Sequence, residues 1–191
     1  MDISLHCCDI HPQAVAFLQK EIGVNALLSA REPEKLVLPM PFDVVFALSF
    51  FSHMPGTTWA RWLVRLSEAV KPGGILLFTT HGLASRQYLG NPAIPPDGFW
   101  FASVSEQKDL PTEDYDSAIV TPEFVKRTMA TIPSLDLLTV QEAYWWGHQD
   151  LYGGRKRSTP LIEYLAPADI SFEDRNGTDT RGEIEAAFSL T

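Results

Sequence analysis

Apolar positions recur along this chain with two periods, and the switches between them lay out its elements. Ile3-Ser4-Leu5-His6-Cys7-Cys8-Asp9-Ile10 is a short apolar segment containing an acid near its end, which predicts a strand. Pro12 follows where a first-turn proline is tolerated, and Ala14, Val15, Leu18 and Ile22 then recur at helical spacing until Gly23 stops the helix. Ala26 to Ser29 predicts a second short strand, and Arg31-Glu32-Pro33-Glu34-Lys35 a polar loop. Phe42-Asp43-Val44-Val45-Phe46-Ala47-Leu48-Ser49 is a nearly unbroken apolar run, the pattern of a parallel strand covered on both faces.

The next segment returns to the longer period. Thr57 and Thr58 offer N-caps for a helix carrying Trp59, Trp62, Leu63, Leu66 and Val70 on one side, with Arg61, Arg65 and Glu68 on the other. Lys71-Pro72-Gly73-Gly74 ends it, and Ile75 to Thr80 predicts another buried strand. From His81 to Tyr115 the periodicity weakens among prolines and aromatics, which predicts an irregular insertion or lid. Thr121-Pro122-Glu123 opens a further helix with a cap, a first-turn proline and an early acid. Leu135 to Tyr144 and Gly147 to Tyr152 predict two final strands joined through Trp145-Trp146-Gly147. Strands alternating with helices predict an α/β domain with a parallel sheet over residues 1–157, followed by a polar tail over 158–191 with at most one short helix at Glu183 to Leu190.

Charge and thiols narrow the partners. Fifteen basic against twenty-four acidic residues give a net charge of −9, which disfavours nucleic acid and anionic membrane surfaces. Cys7 and Cys8 are the whole thiol inventory, so a disulfide framework is excluded and a reducing compartment, with a cytoplasmic location, is expected. Neither thiols nor histidines have metal-ligand spacing, so no metal is expected. No apolar run reaches the roughly 18 residues of a membrane span, and the first residues lack the layout of a signal peptide.

These pieces in this order resemble the class I S-adenosylmethionine-dependent methyltransferases over about residues 3 to 157. The matching residues are Asp9-Ile10 after a strand, Phe42 to Leu48 as the fourth strand, and Leu66 through Lys71-Pro72-Gly73-Gly74-Ile75-Leu76 as helix, turn and fifth strand. The resemblance implies a Rossmann-like sheet of order three-two-one-four-five-seven-six with the seventh strand antiparallel, and S-adenosyl-L-methionine as cofactor across the carboxyl ends of the strands. By position, Asp9 accepts hydrogen bonds from the ribose diol, Ile10 packs on adenine, Ala30 and Arg31 border the adenine edge, and Leu48 and Ser49 flank the methionine moiety. Asp9 has a plainer alternative as a cap for the following helix.

Two departures shape the expectation. The family's first strand and glycine-rich loop have no counterpart here, so the sequence enters the fold one strand late, as a truncated domain. Gly153-Gly154 falls where branched apolar residues usually continue the seventh strand, and glycine weakens a strand interior. The expected function is therefore a methyltransferase of impaired activity acting on a small molecule, or, alternatively, a catalytically silent binding or scaffold protein. A nicotinamide dehydrogenase also uses an acid after its second strand and is the third possibility.

Methyl transfer from a sulfonium needs alignment and desolvation more than a nucleophile or metal. A general base helps when the acceptor must lose a proton, which makes His53 and His81, each following a predicted strand, the catalytic candidates. His148 reads as a strand residue. Phe99-Trp100-Phe101, Tyr88 and Trp145-Trp146 are candidates for an acceptor pocket. A missing central strand also predicts open backbone edges and self-association.

Overall fold

The computed structural model describes residues 3–102 and 115–158. One compact unit takes in Met1–Thr159. The predicted helix at Glu183 to Leu190, most of the polar tail and part of the predicted lid lie outside the described residues.

Strand β1 (His6–Asp9) leads into helix α1 (Pro12–Phe17), which widens into a π-helical turn over Leu18–Ile22 and ends at Gly23 with φ +76°. A left-handed residue at that position suits glycine, because a Cβ would crowd the backbone. Strand β2 (Asn25–Leu28) returns parallel to β1, with Asp9 opposite Leu28. Strand β3 (Phe42–Ala47), helix α2 (Gly56–Glu68) and strand β4 (Val70–His81) form the next unit, and β3 and β4 are parallel neighbours. Strands β5 (Phe99–Phe101) and β6 (Ala118–Val120), helix α3 (Pro122–Met129), and strands β7 (Leu135–Trp145) and β8 (Gln149–Lys156) complete the described elements.

The sheet is divided. β1 and β2 make a two-stranded ladder; β3 to β8 make a six-stranded one in which β4 has β3 on one side and β8 on the other, with β7 beyond β8. β8 runs antiparallel to both β4 and β7. In the family's numbering, β3, β4, β8 and β7 are strands four, five, seven and six, the expected order with the seventh strand reversed. Among the described residues β1 pairs only with β2, and β3 only with β4. The two ladders approach through the His6 and Phe42 rings, whose centroids are 5.2 Å apart.

Burial corrects the expectation for β3. Val45 and Ala47 pack on the core formed by α2, α3 and β4, but Val44 and Phe46, on the opposite face, are 55% and 46% exposed. Alternation places successive side chains on opposite faces, and only one face of this strand is covered among the described residues.

Three smaller expectations also change. The α2 cap is not Thr57 or Thr58: Pro55 occupies the N-cap and no side chain caps it. Lys71 to Gly74 is not a break before β4 but an irregularity inside it, since Phe42 faces Val70 and Val44 faces Ile75. Gly153 and Gly154 do not interrupt β8. A Cβ on Gly153 would lie 2.9 Å from Thr139 Cγ2, and one on Gly154 3.0 Å from Leu135 Cδ1 and Met129 Cε, so both positions are filled by neighbouring side chains. The α3 start is as expected, with the Phe124 N–H donating to Thr121 Oγ1 at 3.3 Å.

Candidate functional site

Parallel strands point their carboxyl ends the same way, so the residues after β1 and β2 form one group and those after β3 and β4 another. In the first group, Asp9 is half-buried and its Oδ1 accepts from the His11 backbone N–H at 2.8 Å, with His11 Nδ1 at 3.1 Å. The Ser29 N–H donates to the Asp9 carbonyl at 2.7 Å, which brings Ala30 and Arg31 to the end of the same ladder. Ile10 is half-buried and Arg31 is exposed. The helix-start role and a ligand role are thus compatible at Asp9, because one oxygen serves the turn and a carboxylate has two. An open cleft of about 410 Å³ lies at the other end of this ladder, lined by Ile3, Ser4, Leu5, Gly23, Val24 and Asn25.

The second group is a polar network closed over three strands. Ser49, just after β3, has φ +53°, a strained value for a residue with a side chain. Its N–H donates to Thr79 Oγ1 at 2.8 Å, and its Oγ exchanges hydrogen bonds with Gln149, whose amide is 3% exposed. Thr79 Oγ1 in turn donates to Gln149 Oε1 at 2.8 Å. Ser49 therefore uses both its N–H and its hydroxyl to hold the strand end, while Leu48 beside it is exposed.

Beyond Ser49 the loop is anchored by Phe51, whose carbonyl accepts from Trp59 Nε1 at 3.2 Å, and it delivers His53 to His81. The two imidazole centroids are 5.6 Å apart, and the His53 ring stacks on Tyr115 at 4.6 Å. His81 is lowered to about 4, first by burial and then by the neighbouring His53 and His148; a hydrogen bond to the Ala118 backbone opposes the shift. It is neutral at ordinary pH.

His148, expected on a strand, sits instead in the turn between β7 and β8. Its ring is 5.9 Å from His81 and 5.3 Å from Tyr88. Below it Asp150 is 1% exposed, accepts from the Ala143 N–H at 2.8 Å and is raised from the ordinary carboxylate range, chiefly by burial. The β-strand register predicts this placement only once β8 is known to pair with β4, with Gln149 opposite His81. Nothing local in the sequence signals it.

The predicted aromatic pocket does not assemble as one cluster. Phe99 packs on Phe124 at 5.2 Å near the core, Tyr88 goes to His148, and Trp145 packs on Phe46 at 5.6 Å. These aromatics are carried by different elements facing different ways, so sequence adjacency does not gather them. The site residues likewise fall on two ladders: Asp9, Ile10, Ala30 and Arg31 on one; Leu48, Ser49, His53 and His81 on the other. Among the described residues no group of three or more His, Cys, Asp or Glu side chains has a metal-binding arrangement, and no helix is long and apolar enough to cross a membrane.

Residues 1–76 match the model of a family described as a methyltransferase domain. No curated protein matches the sequence. Among solved structures, the chain is similar to a SAM-dependent methyltransferase from Methanosarcina mazei, with TM-score 0.57 and 13% identity over 81% of this chain and 82% of that one. It is also similar to the 1,6-didemethyltoxoflavin-N1-methyltransferase of Burkholderia thailandensis, solved with its namesake compound and S-adenosylhomocysteine, at TM-score 0.55 and 14% identity over 81% of this chain and 61% of that one. A third likeness is the [4+2]-cyclase SpnF, at TM-score 0.52 and 14% identity over 82% of this chain and 67% of that one. The strand order with its reversed seventh strand and these neighbours give the chain the fold of the class I methyltransferases, and residues 1–76 carry the match to the methyltransferase-domain model.

Proposed function

We propose that this chain binds S-adenosyl-L-methionine and directs its methyl group to a small-molecule acceptor. The observation that carries the proposal is Asp9, a half-buried carboxylate at the carboxyl end of a parallel strand in this fold. Its Oδ1 is engaged by His11, and the second oxygen is assigned to the ribose diol. Ile10 lies against adenine, Ala30 and Arg31 border its edge, and Leu48 flanks the methionine end, with Ser49 fixing the backbone there. His53 and His81 stand at the acceptor side. The residues supply alignment and exclude water, since the sulfonium is already an activated methyl donor.

S-adenosylhomocysteine at 100 times its Kd is expected to stabilise the chain by about 2.7 kcal/mol. Asp9→Ala is expected to weaken that ligand roughly 10- to 100-fold, the worth of a hydrogen bond to a charged group. Thermal melting with and without ligand measures both. An unchanged melting temperature with either S-adenosylmethionine or S-adenosylhomocysteine would favour the second function, a silent binding or scaffold protein. The divided sheet supports that alternative, because the two halves of the site stand on separate ladders. The cyclase likeness supports it too, since this fold hosts more than methyl transfer.

The division also supports slow turnover and self-association. β1 pairs with β2 and β3 with β4, which leaves each an edge unpaired among the described residues, and exposed Val44 and Phe46 adjoin one of them. Light scattering behind size exclusion is expected to show mass rising with concentration. A concentration-independent monomer would remove this part of the proposal.

A further inference from the structure

The tautomer of His148 is set by its surroundings. Ser85 Oγ lies 2.7 Å from the His148 carbonyl oxygen and 3.2 Å from His148 Nδ1. A carbonyl oxygen only accepts, so the single hydroxyl hydrogen is directed to it and Oγ is left to accept at the ring. Nδ1 therefore carries the proton and Nε2 the lone pair. The position is firm: Ser85 is 1% exposed in the 3-10 turn Leu83–Tyr88, and the His148 N–H donates to the Trp145 carbonyl at 3.2 Å.

The groups facing this ring come from every neighbouring element. His81 approaches from β4 with His53 behind it, Tyr88 from the turn Leu83–Tyr88, and Asp150 lies two residues along β8. The Asp150 carboxylate is already engaged by the Ala143 N–H and the Tyr152 hydroxyl. Tyr88 is 67% exposed and presents an aromatic surface beside the imidazole. A basic nitrogen of fixed orientation next to an open aromatic ring fits a planar compound bearing an acidic O–H.

We propose that His148, held in its Nδ1–H tautomer by Ser85, is the proton acceptor of this site and selects aromatic hydroxyl compounds as methyl acceptors. This rests on the methyl-transfer function proposed above. In the step, the acceptor oxygen bonds to the methyl carbon, the sulfur–methyl bond breaks with its electron pair retained by sulfur, and the hydroxyl proton passes to His148 Nε2. The resulting imidazolium returns the proton to solvent.

Three measurements on the full chain test it. Nitrogen-15 NMR of the histidine rings is expected to show His148 with its proton on Nδ1, and Ser85→Ala is expected to shift it toward a mixture. Titration with 4-nitrophenol in the presence of S-adenosylhomocysteine is expected to show the phenolate absorbance growing on binding at mildly acidic pH. His148→Gln should weaken that binding at least tenfold while S-adenosylhomocysteine still raises the melting temperature. An Nε2–H tautomer in the unaltered chain, absence of phenolate binding, or equal 4-nitrophenol affinity in His148→Gln would each overturn the proposal while leaving cofactor binding intact. Loss of S-adenosylhomocysteine binding by the unaltered chain would overturn both functions together.

Discussion

Replacing Trp59 with alanine is expected to lower the unfolding free energy by about 3–5 kcal/mol, the range for removing a large aromatic from a packed core. Trp59 is completely buried and touches Phe51, Phe78 and Phe124, with ring centroids 4.7, 6.3 and 5.2 Å away. These neighbours come from the loop after β3, from β4 and from α3, so a cavity here opens three elements at once. Trp59 also satisfies the Phe51 carbonyl through Nε1. Trp59→Phe keeps most of the packing and removes that bond, and is expected to cost less, about 1–3 kcal/mol for the carbonyl left without its donor. Urea unfolding of the three proteins measures the difference. A loss below that of the phenylalanine variant would show that the neighbouring rings collapse into the space.

Acidification is the second large effect. His81 titrates at about 4 in the folded chain against an ordinary value near 6.5, because burial and the adjacent imidazoles disfavour its charge. Between those values the unfolded chain binds the proton and the folded one does not. Stability therefore rises with pH across that interval, and falls as pH drops through it, by about 3 kcal/mol in all. Asp150 acts in the opposite direction. Its carboxyl is raised, so the folded chain takes up a proton first and acidification through that range relieves a buried charge. The exposed pair Lys71–Asp43 adds little at the surface. Unfolding curves measured from pH 7 to pH 4 are expected to show the loss, and His81→Gln is expected to flatten it. An equally steep loss in that variant would assign the effect to other groups.

The layout of elements was legible because periodicity reports local burial. Trp59, Trp62 and Leu63 at helical spacing do face the core, and Thr121-Pro122 does begin α3. The order of β3, β4, β8 and β7 followed from the family resemblance. What periodicity could not report is which apolar residues lack a neighbour. Val44 and Phe46 read identically whether their face of the sheet is covered or open, since hydrophobicity belongs to the residue and exposure to its surroundings.

The site divides the same way. The placement of Asp9 and His81 at strand ends and of His53 in the loop after β3 was legible because each adjoins a segment recognisable as a strand. His148, Gln149 and Ser85 were not, since they join the site through the antiparallel return of β8, and contacts at such sequence distances leave no local trace. Gly153 and Gly154 misled for a related reason. Their lack of a side chain looks like a weakness until Thr139, Leu135 and Met129 are found filling the space.

The Gln149 amide has a consequence for the distance between the imidazoles. Its oxygen receives the Thr79 and Ser49 hydroxyls while its nitrogen donates to Ser49, so an aliphatic side chain of similar length leaves both partners stranded and a carboxylate buries a charge between them. Thr79 lies two residues before His81, and Ser49 four before His53. One uncharged side chain thus acts as the spacer that fixes how far apart two proton-carrying rings stand, and their mutual influence is inherited from a residue that never ionises.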